Sequence, residues 1–395
     1  MSAPDVDVLI VGGGLVGGSL ALALEGSGLK VALLEAQTDQ ERLTAATGDR
    51  ALALSRGTVQ SLKDLGLWDS VAEQAMAIHH IHVSDRGHFG KTRLWARDPG
   101  VEALGHVILA RHLETALVAH LDRTALERIC PARIIGLKAG LETIHVSLKQ
   151  DDQSRTLSAR LVVAADGGHS TVRKLLGIEQ TLKDYGQSAI VTEVETERDT
   201  QHTAYERFTR TGPLALLPIG PHRASVVWSL HPEEAQETLS LSESDIALRL
   251  QTTFGNWLGT LQLVKRPVGF PLKLIQSGRM TDDRVVLIGN AMHQIHPVAG
   301  QGFNLGLRDA AVLAEWLITQ RRLGLDLGDP EFLARYGEAR RRDLSRVIRF
   351  TDSLVGIFSN DFPPMALARN LALFALERWP FAKRLLARNA MGYGA

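Results

Sequence analysis

Three glycines, Gly12, Gly14 and Gly17, stand between a short apolar run, VDVLIV (6–11), and a helix-forming run, LVGGSLALALE (15–25). Placed G-x-G-x-x-G between a strand and a helix, they suit a dinucleotide. The first permits a tight turn, the second lets backbone amides approach a pyrophosphate at the helix N-terminus, and the third lets helix and strand pack closely. Glu35 ends the next apolar run, KVALLE (30–35), 18 residues after Gly17. A carboxylate there can accept hydrogen bonds from ribose hydroxyls. A glycine-rich turn without a ligand gives no reason for strand, helix and terminal acid to stand in register. The fingerprint serves FAD and NAD alike, and it occurs once, so no second dinucleotide domain for a nicotinamide cofactor is visible.

Other residues offer weaker chemistry. Gly300-Gln301-Gly302-Phe303-Asn304 runs into a helix-forming stretch ending near 318, so its N–H groups and positive dipole end would face a bound anion. His79, His80, His82 and His88 form the densest histidine cluster, with His80 and His82 on one strand face and Asp85 in reach. A metal site there is the sharper reading, and exposed strand and turn histidines the plainer one. The single cysteine, Cys130 before Pro131, excludes an internal disulfide framework, a Cys-based zinc site and a CxxC pair. It reads as a small buried residue of a protein kept in a reducing compartment.

The elements that must hold these residues follow from the apolar pattern. LVVAADGGHSTVRKLLG (161–177) is a second strand–turn–helix, and RVVLIGN (284–290) leads into a third. Between them, segments 187–197, 202–210, 214–220 and 224–230 alternate in β fashion, as does 79–95. From about 331 the chain reads as helical. The result is an α/β chain: a Rossmann-type nucleotide-binding domain in three parts (1–78, 101–182, 276–345), an interleaved antiparallel β-sheet substrate domain (79–100, 183–275) and a helical C-terminal region (346–395).

The 395 residues carry 44 basic and 44 acidic side chains. That balance argues against a dedicated nucleic-acid binder, which needs a basic surface. The zero net charge is unevenly spread. Residues 346–395 hold seven Lys/Arg and three Asp/Glu, a net +4 that leaves −4 for the rest, and seven of the 21 aromatics. Within them MALARNLALFAL (365–376) is apolar except for Arg369 and Asn370. Such an end can lie on a bilayer surface, engage a partner of a biosynthetic complex, or form a helical cap that packs its aromatics against the nucleotide-binding domain. No run reaches the length of a spanning helix, and the start, with Asp5 and Asp7 and no basic residue, does not read as a signal peptide. The expected location is cytoplasmic, at most peripheral at the inner membrane face.

Two further segments carry a resemblance. Asp166-Gly167, then Ser170 and Arg173, is similar to the DGxxSxxR motif of the para-hydroxybenzoate hydroxylase superfamily of flavoprotein monooxygenases. Gly289-Asn290-Ala291-Met292-His293, then Pro297, Gly300-Gln301-Gly302 and Asn304, resembles that superfamily's GDAAH…PxxGxGxN motif. The wording GNAMHQIHPVAGQGFNLGLRD looks most like the ubiquinone-biosynthesis branch, and within it the 2-polyprenyl-6-methoxyphenol hydroxylases. The match runs from residue 5 to about 310, with a weaker echo in AMG (390–392). Asn290 departs from the usual Asp, which in the family accepts hydrogen bonds from the flavin ribityl chain. An amide keeps an acceptor oxygen and loses the charge.

The resemblance implies FAD as cofactor, NAD(P)H as transient co-substrate, and insertion of one oxygen atom from O2 into a polyprenylated (methoxy)phenol through a flavin C4a-hydroperoxide. Hydroxylation of an unprenylated phenol or another ring position, or a non-catalytic FAD-containing scaffold, are the rival readings. By resemblance Arg50 and Arg111 lie near the FAD diphosphate, and Asp166, Asn290, Gly302 and Asn304 join Gly12, Gly14, Gly17 and Glu35 around the cofactor. His293 occupies the motif's usual, structural position. His296 with Pro297 is the candidate for the ring face, where an imidazole could assist phenol deprotonation, although a satisfied, non-catalytic histidine is the plainer reading.

Overall fold

The computed structural model describes residues 3–295, 300–358, 363–379 and 383. Strand Val6–Val11 pairs in parallel with Val31–Leu34 on one side and with Gln153–Ala164 on the other. Val285–Leu287 adds in parallel beyond Gln153–Ala164, and Glu127–Ile129 beyond Val31–Leu34. A parallel sheet is covered on both faces, so its strands read as unbroken apolar runs. Accordingly Val8, Leu9, Ile10, Leu161 to Ala164 and Val285 to Leu287 have almost no exposure. Helices Leu15–Ala23 and Gln301–Arg322 lie against each other on this sheet. Gly306 permits the contact: a Cβ there would come within 3.0 Å of Val16 and 3.2 Å of the Gly289 Cα.

The alternating segments form a second, nine-stranded sheet. Its order is His293–Gln294, Val268–Ser277, Gln180–Thr196, Arg223–Leu230, Gly212–Gly220, Thr203–Thr209, His80–Asp85, Lys91–Trp95, with Leu261–Leu263 paired to Gln180–Thr196. Among the described residues, only the Thr203–Thr209 pairing with His80–Asp85 is parallel in this sheet. Alternation divides its faces. Leu214, Leu216, Val226 and Trp228 pack with Phe254 of helix Glu243–Phe254 into a separate core, while Ala215, Leu217 and Val227 line a cavity on the other face. A three-stranded sheet of Ala51–Ser55, Gly105–Leu109 and Met76–Ile78 lies beside that cavity.

Three sequence expectations are corrected. His80 and His82 are buried, not exposed. His80 stacks on Trp95 with ring centroids 3.8 Å apart, and His82 on Trp257 at 4.4 Å. Burial lowers both pKa values to about 4, so both rings are neutral at pH 7. Cys130 is half-buried, its thiol donating to the Gln37 carbonyl at 3.1 Å. Arg369 and Asn370 do not simply interrupt the apolar helix Pro363–Arg378; they dock it. Arg369 pairs with buried Asp85 at 2.8 Å, while Asn370 donates to Asp85 at 2.9 Å and accepts the Gly90 N–H at 2.7 Å. Leu373 packs on Phe208. The AMG echo and the last aromatics of the chain lie outside the described residues, and no helix among those described is long and apolar enough to cross a membrane.

Candidate cofactor and substrate site

The glycine loop shows three different reasons for three glycines. Gly12 has φ +105° and its Cβ would lie 2.5 Å from the Ala165 carbonyl oxygen. Gly17 would place a Cβ 1.9 Å from the Gly12 oxygen, so the helix can cross the strand end only with glycine there. A Cβ on Gly14 would meet nothing within 4 Å. That open cradle at the N-cap of helix Leu15–Ala23 is where a pyrophosphate would sit. Glu35 accepts the Gly13 N–H at 2.7 Å and the Gln37 N–H at 2.9 Å, which fixes its carboxylate beside the loop. Arg42, which the sequence reading passed over, is buried, donates to the Gly13 carbonyl at 2.5 Å and lies 3.8 Å from Glu35.

The second and third motifs are tied together. Asp166 caps helix Thr171–Leu175 by accepting the Thr171 and Val172 N–H groups at 2.7 and 3.2 Å, and its other oxygen is buried without a partner. Ser170 is the N-cap of the same helix. Arg173, fully buried, donates to the Ala291 carbonyl at 2.6 Å and to the Gly168 carbonyl at 2.7 Å. The Arg of DGxxSxxR therefore holds the Gly289–Ala291 turn, and with it Asn290, which is exposed to the cavity.

Behind that turn lies a buried network. Asp309 accepts from His293 Nε2 at 2.8 Å, from the Gly289 N–H at 3.1 Å and from Arg340 Nε at 2.9 Å. Arg340 also reaches Asp343, which pairs with Arg308. Burial alone would raise the Asp309 pKa; the His293 ring and the Arg340 guanidinium outweigh it and hold the carboxyl below its usual range. His293 is thus a brace for the loop, as its motif position suggested. Asp309 carried a readable signal: it falls four residues from both Leu305 and Leu313, on the buried face of its helix.

Asn304 lines the cavity wall, and its amide is used within the protein. It accepts from the Ser55 N–H and the Thr58 hydroxyl at 2.9 and 2.6 Å and donates to the Ala53 and Gly300 carbonyls, both at 2.8 Å. It shapes the site by joining strand Ala51–Ser55 to the N-terminus of helix Gln301–Arg322. Gly302 and Arg50 line the cavity directly, whereas Arg111 does not line it and is paired with Asp49. His296 and Pro297 lie outside the described residues.

The loops that carry these residues meet at one cavity of about 760 Å³, toward the large end of small-molecule sites, while Gly12, Gly17, Glu35, Arg111 and Asp166 themselves do not line it. Gly14, Arg50, Asn290 and Gly302 line it, the apolar face of the nine-stranded sheet lines it, and Ile357, Ala372 and Leu373 of the C-terminal helices complete it. Polar groups and an open glycine cradle beside an apolar chamber fit a dinucleotide with a reactive ring next to an apolar substrate.

The profile of the FAD binding domain family matches residues 5–351. The chain belongs to this family. Ubiquinone hydroxylase UbiL of Rhodospirillum rubrum is 40% identical over 98% of this chain and 89% of its own length. The 3-demethoxyubiquinol 3-hydroxylase of Escherichia coli is 32% identical over 99% and 100%. At these identities the chain joins the ubiquinone hydroxylase branch of the FAD-dependent monooxygenases, as the three motifs implied. p-Nitrophenol 4-monooxygenase PnpA of Pseudomonas putida superposes with a TM-score of 0.81 at 19% identity, over 98% of both chains, a likeness of fold.

Proposed function

We propose that this chain hydroxylates the ring of a polyprenylated phenol during ubiquinone synthesis, with O2 as oxygen source and NAD(P)H as reductant. The observation that carries this reading is the junction within one cavity of the glycine cradle and an apolar chamber walled by the nine-stranded sheet. FAD would be held by the Gly12–Gly14 loop, Glu35, Arg50 and the N-terminus of helix Gln301–Arg322. When bound, it supplies an electrophilic oxygen atom derived from O2. The protein orients the ring against it, keeps water from it with apolar walls, and offers the positive end of that helix to charge on the flavin. A strain lacking this chain should accumulate the quinone precursor that the enzyme consumes. Unaltered quinone lipids in that strain would contradict the reading.

We infer also that the enzyme works in the cytoplasm at the inner membrane face. Ala372 and Leu373 line the cavity while their neighbours Leu371, Phe374 and Trp379 are 52%, 46% and 68% exposed. Apolar side chains facing outward beside a cavity for a prenyl chain favour contact with a bilayer surface. Replacing Phe374 and Trp379 by Ser should abolish flotation with anionic liposomes and leave flavin content unchanged; undiminished flotation would contradict it.

A further inference from the structure

The cavity floor is one face of the nine-stranded sheet, and alternation makes it apolar: Ile81, Val83, Ala204, Ala215, Leu217 and Val227 all point into it. Glu206 points into it too, between Ala204 and Phe208 on strand Thr203–Thr209. Its register neighbours are Val83 on one side and Ala215 on the other, and Val227 stands beyond Ala215. One of its carboxylate oxygens, Oε1, is buried with no hydrogen-bond partner. A carboxyl group set among aliphatic side chains costs stability unless something meets it there. The described protein supplies no such group, so the ligand is the natural partner.

We propose that Glu206 faces the ring hydroxyl of the bound phenol and accepts its proton as the ring is hydroxylated. This rests on the phenol hydroxylase reading above. The hydroxyl O–H bond breaks and the proton passes to the carboxylate. The electron pair stays on oxygen and conjugates into the ring, which makes the ortho and para carbons nucleophilic toward the oxygen that O2 and NAD(P)H supply through the flavin. On rearomatisation the hydrogen of the attacked carbon leaves as a proton to solvent, and Glu206 returns its own to the ring oxygen. Burial pushes the Glu206 pKa up to about 7, much closer to that of a phenol than an ordinary carboxylate and suited to a base at neutral pH. The charged groups around it do not cancel this. Its own strand carries Arg207, which is turned to Trp257 and the Thr253 carbonyl; the neighbouring strand carries Asp85, which engages Arg369 of helix Pro363–Arg378; and among the described residues the remaining charged ones lining the cavity are Arg50 and Glu114.

The test needs no turnover. In the FAD-loaded enzyme, a 4-nitrophenol carrying a prenyl group at C2 reports its ionisation by colour. A carboxylate facing its hydroxyl shares one proton with it, so the wild-type-bound probe should ionise at least about one pH unit above the probe bound to Glu206→Gln. Coincident titrations in the two proteins would overturn the proposal. Glu206→Gln should also lose about 100-fold in hydroxylated product per NAD(P)H oxidised, releasing peroxide instead. Unchanged coupling would equally overturn it. If the titrations differ yet the wild-type enzyme hydroxylates no prenylphenol, the phenol hydroxylase reading fails and Glu206 loses its role in the reaction, though not its place opposite the hydroxyl.

Discussion

Gly14→Val should give a folded protein that emerges colourless from purification, with flavin affinity reduced roughly 100-fold or more, about 2.7 kcal/mol. Gly14 has φ −66°, which any residue adopts, and a Cβ there meets no protein atom within 4 Å. The added side chain therefore costs the fold little and fills the space a pyrophosphate needs. Gly17→Ala should behave in the opposite way. Its Cβ would fall 1.9 Å from the Gly12 carbonyl oxygen, so helix Leu15–Ala23 must lift from the sheet and the protein should be poorly folded with or without FAD. Circular dichroism and flavin absorbance on both variants separate the two effects. A Gly14→Val protein that retains full flavin would refute the placement of the cofactor.

Asp309→Asn should destabilise the protein by about 3–5 kcal/mol, the cost of breaking a buried ion pair. Arg340 is itself buried, and it and the His293 ring would lose the charge they face. The Gly289–Ala291 turn loses part of its support as well, so flavin should bind more weakly. The pH dependence has a definite sign. The folded-state pKa of Asp309 lies below its unfolded value, as does that of Asp343 beside Arg308 and Arg340. Their contribution is complete above about pH 4 and disappears as pH falls through the lower, folded-state pKa values. Urea midpoints measured from pH 7 down to pH 3 should fall more steeply at the acid end in the wild type than in Asp309→Asn. Parallel curves would show that the network carries no such charge.

What could be read from the sequence divides along physical lines. Runs such as VDVLIV and RVVLIGN announce buried parallel strands because both faces are covered, and the alternation of 187–230 announces a sheet with two unlike faces. The steric roles of Gly12 and Gly17 were legible because strand, turn and helix are contiguous in the chain. Contacts between distant segments were not. Arg173 bracing the turn of Asn290 spans 118 positions, and Arg369 meeting Asp85 spans 284; only the folded chain joins them. The histidine strand misled because alternation says which residues share a face, not what covers it, and here Trp95 and Trp257 do. Glu206 was invisible for the same reason. In sequence it is one charged residue in HTAYERFTR, and only the register beside Ala215 and Val83 makes it solitary among aliphatic side chains.

Oxygen transfer under isotopically labelled O2 separates a hydroxylase from a flavoprotein that only oxidises NAD(P)H. The FAD-loaded enzyme should oxidise NAD(P)H in the presence of a 2-prenylphenol and place one labelled oxygen atom in each molecule of hydroxylated product. NAD(P)H consumption that yields only peroxide, or product oxygen drawn from water, would contradict the hydroxylase reading.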